Sequence, residues 1–356
     1  MDLTLDFEKI WQEYGMDELE NSISSLFPEY RIDMDEVFYK ILSGNIFGAM
    51  KDVFGGLLTG ISNELASQKN TFLWLLVFGI GAVLISNFIK VFDEHEVADI
   101  GFYFSYLCIS AILFRCFGST VDTAGRALEN IVSFIRAFVP AYFLSVGLSA
   151  GSITAKCGYE VVVFTIYLVE HILFLLILPL IKIYVLLVLV SGLWSEERLN
   201  LMISGLEKII RFLQKACFSV VAGLSAMQSM ITPSLDAAKS GVLKKAISAV
   251  PGVGDVADGV VDVVLASSVV IKNSIGFLLL LFLILVTVLP MVKILFTGLL
   301  IRTAAAILSI VSDKRIIRCT DNVGNGSNLL FRTVGLSSLM FMITVSVAAF
   351  TTNRGF

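Results

Sequence analysis

Long apolar segments dominate the chain and alternate with shorter polar ones. Three of them, Thr71–Lys90, Val161–Gly192 and Ile275–Leu300, are long enough to cross a bilayer and carry very little charge. A shorter window, Ile100–Phe114, has no charged residue. Because hydrocarbon offers no hydrogen-bond partner to the backbone, such segments are typical of transmembrane helices. The pattern predicts an all-α, polytopic membrane protein with five to seven transmembrane helices.

Two of the apolar segments contain nearly the same hexapeptide, LPLIKI at Leu178–Ile183 and LPMVKI at Leu289–Ile294. A Ser-acid-x-Arg tetrapeptide begins 16 residues after Pro179 and 22 residues after Pro290. A polar stretch and another apolar segment then follow in both places. The matched order predicts an internal duplication. Since both trailing segments carry Lys and Arg, which favour the cytoplasmic face, we expect a parallel repeat.

A proline in the middle of each long segment has a structural consequence. As one helix, residues 159–193 would be about 52 Å long at about 1.5 Å per residue, against a hydrocarbon core of about 30 Å. Proline removes a backbone hydrogen bond and clashes with the preceding helical turn. Each segment is therefore either a kinked helix that projects from the membrane or a broken helix that counts as two.

Charge and hydropathy divide the chain into five regions. The first holds thirteen Asp and Glu against five Lys and Arg, and it predicts short soluble or interfacial helices separated by Pro28 and by Gly55–Gly56. The second predicts a membrane hairpin followed by a surface-lying amphipathic helix, Thr120–Arg136. The first region is 1–70 and the second is 71–157. The third and fifth, 158–232 and 275–356, are the membrane repeats. The fourth, 233–274, is a loop with a small-residue helix.

The composition narrows the class of protein. Hydrophobic residues make up 56% of the chain and charged residues 16%, with a mean hydropathy of +0.87, outside the range of soluble domains. The five cysteines are scattered without a CxxC pair, and the two histidines, His95 and His171, have no metal-binding spacing. We therefore expect no metal, no cofactor and no catalytic residues, and we predict that the chain is not an enzyme.

Three charged residues, Glu170, Lys182 and Lys293, lie inside the apolar segments. An ionised group is costly there unless it is paired or faces water. One interpretation makes these residues, with Pro179 and Pro290, part of a polar conduit through the membrane. The other makes them snorkelling or interhelix-paired charges of a folded bundle. The sequence leaves both interpretations open.

The segment KKAISAVPGVGDVADGVVDVVLASSVVIKNSIG, Lys244–Gly276, resembles the stage III sporulation protein AE family. The flanking RFLQKACFSVVAGLSAMQSMI, Arg211–Ile231, and LPMVKI resemble the same family. The resemblance covers about residues 70–350. Members usually begin with a cleavable signal peptide, whereas MDLTLDFEK has neither a basic nor an apolar signal region. The family-like positions of the segment are Pro251, Gly254, Asp255, Lys272, Asn273 and Gly276.

The resemblance implies a multipass protein of the mother-cell membrane that surrounds the forespore in endospore-forming bacteria. It would be a non-enzymatic subunit of a channel or secretion-like complex that connects the two cells. The implied partners are the other membrane proteins of the same stage III sporulation operon and the stage II sporulation protein Q complex, with no nucleic acid. The acidic N-terminal region would then be extracytoplasmic. The alternative is a stand-alone secondary transporter or permease with a midplane site between the duplicated halves.

Overall fold

A computed structural model describes residues 95–149, 152–193, 199–247, 254–308 and 314–352, and scattered positions between 36 and 81. Helix α1 is His95–Ser149, and α2 is Ser152–Leu168. A nine-residue π-helix, Val169–Ile177, joins α2 to α3, Leu178–Ser191. Three long helices complete the order: α4 is Asn200–Ile247, α5 is Gly254–Leu308 and α6 is Lys314–Thr352. The described ranges contain no strand, and the all-α prediction is confirmed.

Five helical stretches of the described chain are long and apolar enough to cross a membrane. They contain 31 to 46 residues, more than the roughly 20 that a bilayer requires. The polytopic membrane prediction is confirmed, with five spans as its lower bound, and Thr71–Lys90 lies largely outside the described residues. The five stretches are Phe102–Gly147, Ala155–Ser191, Asn200–Met230, Lys272–Ile307 and Lys314–Thr351.

Helix α1 differs from its prediction. Thr120–Arg136, expected to form a separate helix on the membrane surface, continues the helix that contains the apolar window Ile100–Phe114. The reason is packing: the apolar face of this stretch, which includes Leu128, Ile131 and Ile135, is buried against the rest of the bundle. The predicted amphipathic helix is present, but its apolar face packs against other helices of the chain and not on the membrane surface.

Both proline-containing segments form long helices that count as one span each. Of the two alternatives that the sequence left open, the broken helix that counts as two is therefore wrong. Pro290 lies inside α5, which runs on without a break. Pro179 lies in the first turn of α3, directly after the π-helix.

The last polar stretch of the sequence is also helical. Residues 314–332, which separate the second repeat's apolar segments, form the first half of α6 and continue into its apolar second half. Glycines allow close packing here: a Cβ added to Gly324 would lie 2.7 Å from Arg302 Cγ, and one added to Gly298 would lie 2.9 Å from Ser327 Cβ. Helix α6 packs against each of the helices α1 to α5 and the π-helix, so it is central among these helices.

Contacts between the helices fix their relative directions. The Thr287 hydroxyl bonds Ser338 and Gly298 approaches Ser327, so residue numbers rise along α5 as they fall along α6, and these helices are antiparallel. Gln214 contacts Thr333 on α6, and Ser225 contacts Thr344. Both pairs are 119 residues apart, so α4 and α6 are parallel.

The five spans alternate in direction. Tyr106 at the start of α1 donates to the Leu189 carbonyl at the end of α3, while Arg136 near the end of α1 contacts Glu170. Tyr106 also contacts Cys319 near the start of α6, so α1 and α6 are parallel. The segments α2–α4 and α5–α6 therefore run in the same sense, as a parallel repeat requires. Any chain of five alternating spans has this property, so the duplication stays a prediction.

The described part of the acidic region contains helical residues 47–56 and 58–63. Gly55 is helical and accepts a bond from Thr59, so the predicted break at Gly55–Gly56 is wrong, and Pro28 lies outside the described residues. The Lys40 ammonium contacts Asp52 at 2.7 Å and Glu36 at 2.6 Å. Hydrogen bonds to these two carboxylates raise the pKa of Lys40.

Candidate functional site

The first proline–lysine segment follows a change of helix type. The Leu178 N–H donates to the Leu173 carbonyl, five residues earlier, which is the π-helical pattern. Pro179 has no N–H to donate, and its ring would clash with the carbonyl four residues earlier in an α-helix. A widened turn before the proline relieves this conflict. Pro179 and Lys182 are both exposed.

The second segment lies deeper in the bundle. Pro290 and Lys293 are half-buried, and Ile294 is fully buried. The Thr297 hydroxyl donates to the Lys293 carbonyl at 2.9 Å. Threonine often bonds the carbonyl four residues earlier in this way, and the bond can bend a helix slightly.

The structure does not bring the two lysines together. Helix α6 packs against both α3 and α5, whereas α3 and α5 do not pack side by side in the described ranges. A conduit between the two proline–lysine segments would therefore have to pass α6. Whether the lysines serve a pathway stays a prediction.

Glu170 is paired. Both of its carboxylate oxygens accept hydrogen bonds from Arg136 Nη2, each at 2.7 Å. The pair links the π-helix to α1, and both side chains are partly exposed at the edge of the bundle, Arg136 by 56% and Glu170 by 37%. The sequence left two interpretations of Glu170 open, a conduit residue or an interhelix-paired charge. This contact is an interhelix pair.

Polar side chains from α4 and α5 meet α6 inside the bundle. Gln214 Nε2 donates to Thr333 Oγ1 at 2.8 Å and to the Leu329 carbonyl at 3.1 Å. Thr287 Oγ1 donates to Ser338 Oγ at 2.9 Å. All of these side chains are buried, and such bonds join helices within a membrane because no water competes for the groups.

Charged groups form contacts within α4 and between α5 and α6. Arg211 pairs with Glu207 at 2.6 Å on α4, level with the middle of α6. Arg302 of α5 donates to the Asn325 side chain of α6 and lies 3.9 Å from Asp321. Polar groups of this kind favour the membrane–water interface.

The family-like segment is mostly helical. Gly254 begins α5, Asp255 follows it, and Pro251 lies outside the described residues. The region assigned to residues 233–274 therefore differs: its described part forms the end of α4 and the first third of α5. Asn273 is exposed.

Lys272 and Gly276 lie where α5 enters the bundle. A Cβ added to Gly276 would lie 3.0 Å from Tyr142 Cε2, so the ring occupies the space that a larger residue would need. Lys272 is completely buried. The antiparallel pairing of α5 with α6 places it at the level of the C-terminal end of α6, where backbone carbonyls attract cations. This location explains how a lysine can be buried there.

No group of three or more His, Cys, Asp and Glu side chains is close enough to hold a metal ion within the described part of the chain. The five cysteines are free thiols.

The model of the family "Stage III sporulation protein AE" matches residues 32–352. The chain belongs to the stage III sporulation protein AE family. Stage III sporulation protein AE of Bacillus subtilis strain 168 is 22% identical over 292 residues, which cover 82% of this chain and 73% of that protein. No solved structure matches the chain. The resemblance that rested on Lys244–Gly276 is thus confirmed, and the family match includes all five candidate spans.

The polar contacts of α6 in this member of the AE family were missed by sequence reasoning. Single Thr, Ser and Gln residues within apolar helices give no signal of which helix they face. One clue was present: Gln214, Ser225 and Gln228 recur at helical spacing along one face of α4. The glycine-rich polar run 324–328 was another, because small residues in a membrane helix allow close approach.

Proposed function

We propose that this protein is a non-enzymatic membrane subunit of the complex that connects the mother cell with the forespore during endospore formation. The family match over residues 32–352 carries the proposal, because it covers every candidate span of the bundle. Five apolar helices and the sporulation family agree with a multipass membrane location. The mother-cell membrane around the forespore is the proposed membrane, with the acidic N-terminal region on its extracytoplasmic side.

The proposed partners are the other membrane proteins of the same stage III sporulation operon and the stage II sporulation protein Q complex. The ends of several helices support such a role, since their charged groups could meet soluble parts of other subunits. Arg302 and Asp321 are examples near one end of the bundle. The proposal assigns no cofactor to the bundle interior.

A second candidate function is a stand-alone secondary transporter or permease. The buried polar contacts Gln214–Thr333 and Thr287–Ser338 favour it, because transporters bind polar substrates between membrane helices near the midplane. In the subunit proposal the same contacts hold α6 in the centre of the bundle.

Purification and transport assays separate the two functions. The full chain, tagged and extracted from membranes of sporulating cells, should carry the sibling operon proteins with it in stable proportion. An unrelated tagged multipass protein from the same cells is the control. Saturable uptake by the purified chain alone in lipid vesicles, without co-purified siblings, would favour the permease and overturn the subunit proposal.

A further inference from the structure

The outer surface of α1 carries an unusual line of polar residues. Between residues 116 and 139 the exposed side chains are all polar, and we call them the α1 stripe. Their spacing alternates between three and four residues, which places them on one narrow line along the helix. The α1 stripe consists of Ser119, Asp122, Arg126, Glu129, Ser133 and Arg136.

The α1 stripe lies at the depth of the apolar belt of the bundle. Arg136 contacts Glu170, and a Cβ added to Gly125 would lie 3.6 Å from Phe174, so the stripe is level with the π-helix in the middle of the second span. At this depth the exposed residues of other helices include the apolar Leu175 at 61% exposure and Leu176 at 44%, together with single polar residues such as His171 and Ser219. The parallel register of α1, α4 and α6 also places Val220 and Leu339 at this level, and both are exposed.

Contact with lipid is energetically unfavourable for such a line of charges. A charged side chain near the bilayer centre costs roughly 3 kcal/mol or more unless it is paired or reaches water. Arg136 is paired with Glu170, but Asp122, Arg126 and Glu129 form no ion pair with any residue that the structure describes. The stripe therefore requires a covering that lipid does not provide.

We infer that the α1 stripe is an interface through which two copies of this chain associate side by side in the membrane. Its two carboxylates and two arginines sum to zero formal charge and alternate in sign along the helix. In a symmetric pair, Arg126 of one copy lies about one helical turn from Asp122 and Glu129 of the other, so these three charges have opposite neighbours. Arg136 keeps Glu170 of its own chain as its partner. The three-and-four spacing is that of near-parallel helix pairs.

The apolar segment Thr71–Phe92 of the same chain fits the stripe less well. It carries a single charge, Lys90, and could not neutralise both signs. A second copy supplies both. The half-buried Gly118 beside the stripe, where an added Cβ would have no neighbour within 4 Å, would also let a second helix approach closely. The interface is a property of this chain alone and does not depend on the proposed sporulation complex.

Cysteine cross-linking of the full chain tests the inference. Ser133→Cys places a thiol on the stripe, and Val220→Cys places one at the same depth on the apolar face of α4. Each variant and the unmodified chain, with its five natural cysteines, are reconstituted in vesicles of phosphatidylethanolamine and phosphatidylglycerol and oxidised with copper phenanthroline. We expect a disulfide-linked dimer as the main product of Ser133→Cys, with Val220→Cys and the unmodified chain mainly monomeric.

Two results would overturn the inference. Ser133→Cys could remain monomeric, which would mean that lipid or the chain's own N-terminal region covers the stripe. Alternatively, Val220→Cys could cross-link as well, which would mean random collision. A cross-link of Ser133→Cys that forms only after sibling sporulation proteins are added would also overturn the second copy as the occupant, while leaving the proposed function intact.

Charge reversal sharpens the test. In the Ser133→Cys chain, Arg126→Glu opposes carboxylates across the interface and should lower the dimer yield by about tenfold or more. Adding Glu129→Arg restores zero net charge and again places opposite charges at positions 126 and 129, one turn apart across the interface, so it should recover much of the yield. Lys208→Glu, an exposed change on α4, is the control and should have no effect. Failure of the double reversal to recover the dimer in a chain that elutes as a folded protein would contradict the charge pairing.

Discussion

LPLIKI and LPMVKI share four of six residues, yet the bundle packs them in different ways. In the first copy Leu178 and Ile181 are buried, while Pro179, Lys182 and Ile183 are exposed. In the second copy no residue is exposed, and Ile294, the equivalent of Ile183, is completely buried. The same hexapeptide therefore turns a different face towards its neighbours in each half of the chain.

The difference follows from what surrounds each helix. α5 lies between α1 and α6, and a Cβ added to Gly335 of α6 would lie 3.0 Å from Met291. α3 packs on one side only and presents the other side to the membrane. The similar hexapeptides thus form similar helices with a proline at the same position. The neighbouring helices determine which residues of each hexapeptide are buried and contribute to stability.

The largest expected contrast comes from the last residue of each copy. Ile294→Ala should lower the free energy of unfolding by about 3 kcal/mol, because it leaves a cavity in a fully packed site. Ile183→Ala removes the same atoms from an exposed position and should cost less than about 1 kcal/mol. Unfolding of the purified chain in mixed micelles, followed by circular dichroism over an SDS titration, measures both. Equal losses would mean that the two copies are packed alike.

The next contrast concerns the ion pair that only one copy has. Glu170 lies nine residues before Pro179, and the equivalent position before Pro290 is the buried Leu281. Glu170→Leu should lower the free energy of unfolding by about 2 kcal/mol, since it leaves Arg136 without its partner. Replacing both residues with Leu should recover most of this loss, as apolar pairs often substitute for ion pairs. A double variant no more stable than Glu170→Leu would show that the arginine has another role.

Much of the fold could be predicted from the sequence, because hydrocarbon leaves the backbone few options. The apolar windows predict the helices, and the repeated hexapeptide identifies Pro179 and Pro290 as equivalent positions. Packing partners could not be predicted in the same way. Whether Thr120–Arg136 lies on a membrane or against other helices depends on contacts with residues far away in sequence, such as Arg136 with Glu170. The continuity of α5 through Pro290 depends likewise on its neighbours, which hold the helix despite one lost bond.

A smaller contrast is expected between the two prolines. Pro179→Ala restores an N–H and should let the π-helix relax to an α-helix, which turns Glu170 away from Arg136 by about 100°. The stability should change by about 1 kcal/mol or less. The readout is the coupling free energy between Arg136 and Glu170 in a double-mutant cycle with Leu, which should fall towards zero with Pro179→Ala and stay unchanged with Pro290→Ala. An unchanged coupling with Pro179→Ala would mean that the proline does not cause the π-helix.

The smallest effects are expected at the lysines, and their combination is more informative than either alone. Lys182→Met and Lys293→Met should each change stability by less than about 1 kcal/mol, because the Lys182 side chain is exposed and the Lys293 side chain is only half-buried. Since α6 separates α3 from α5, the two changes should be independent, and spore yield in the double variant should equal the product of the two single effects. A double variant far worse than that product, at normal protein level, would show that the lysines share one pathway after all. Normal yield in the double variant would remove both lysines from any conduit, and the two copies would then differ in packing alone.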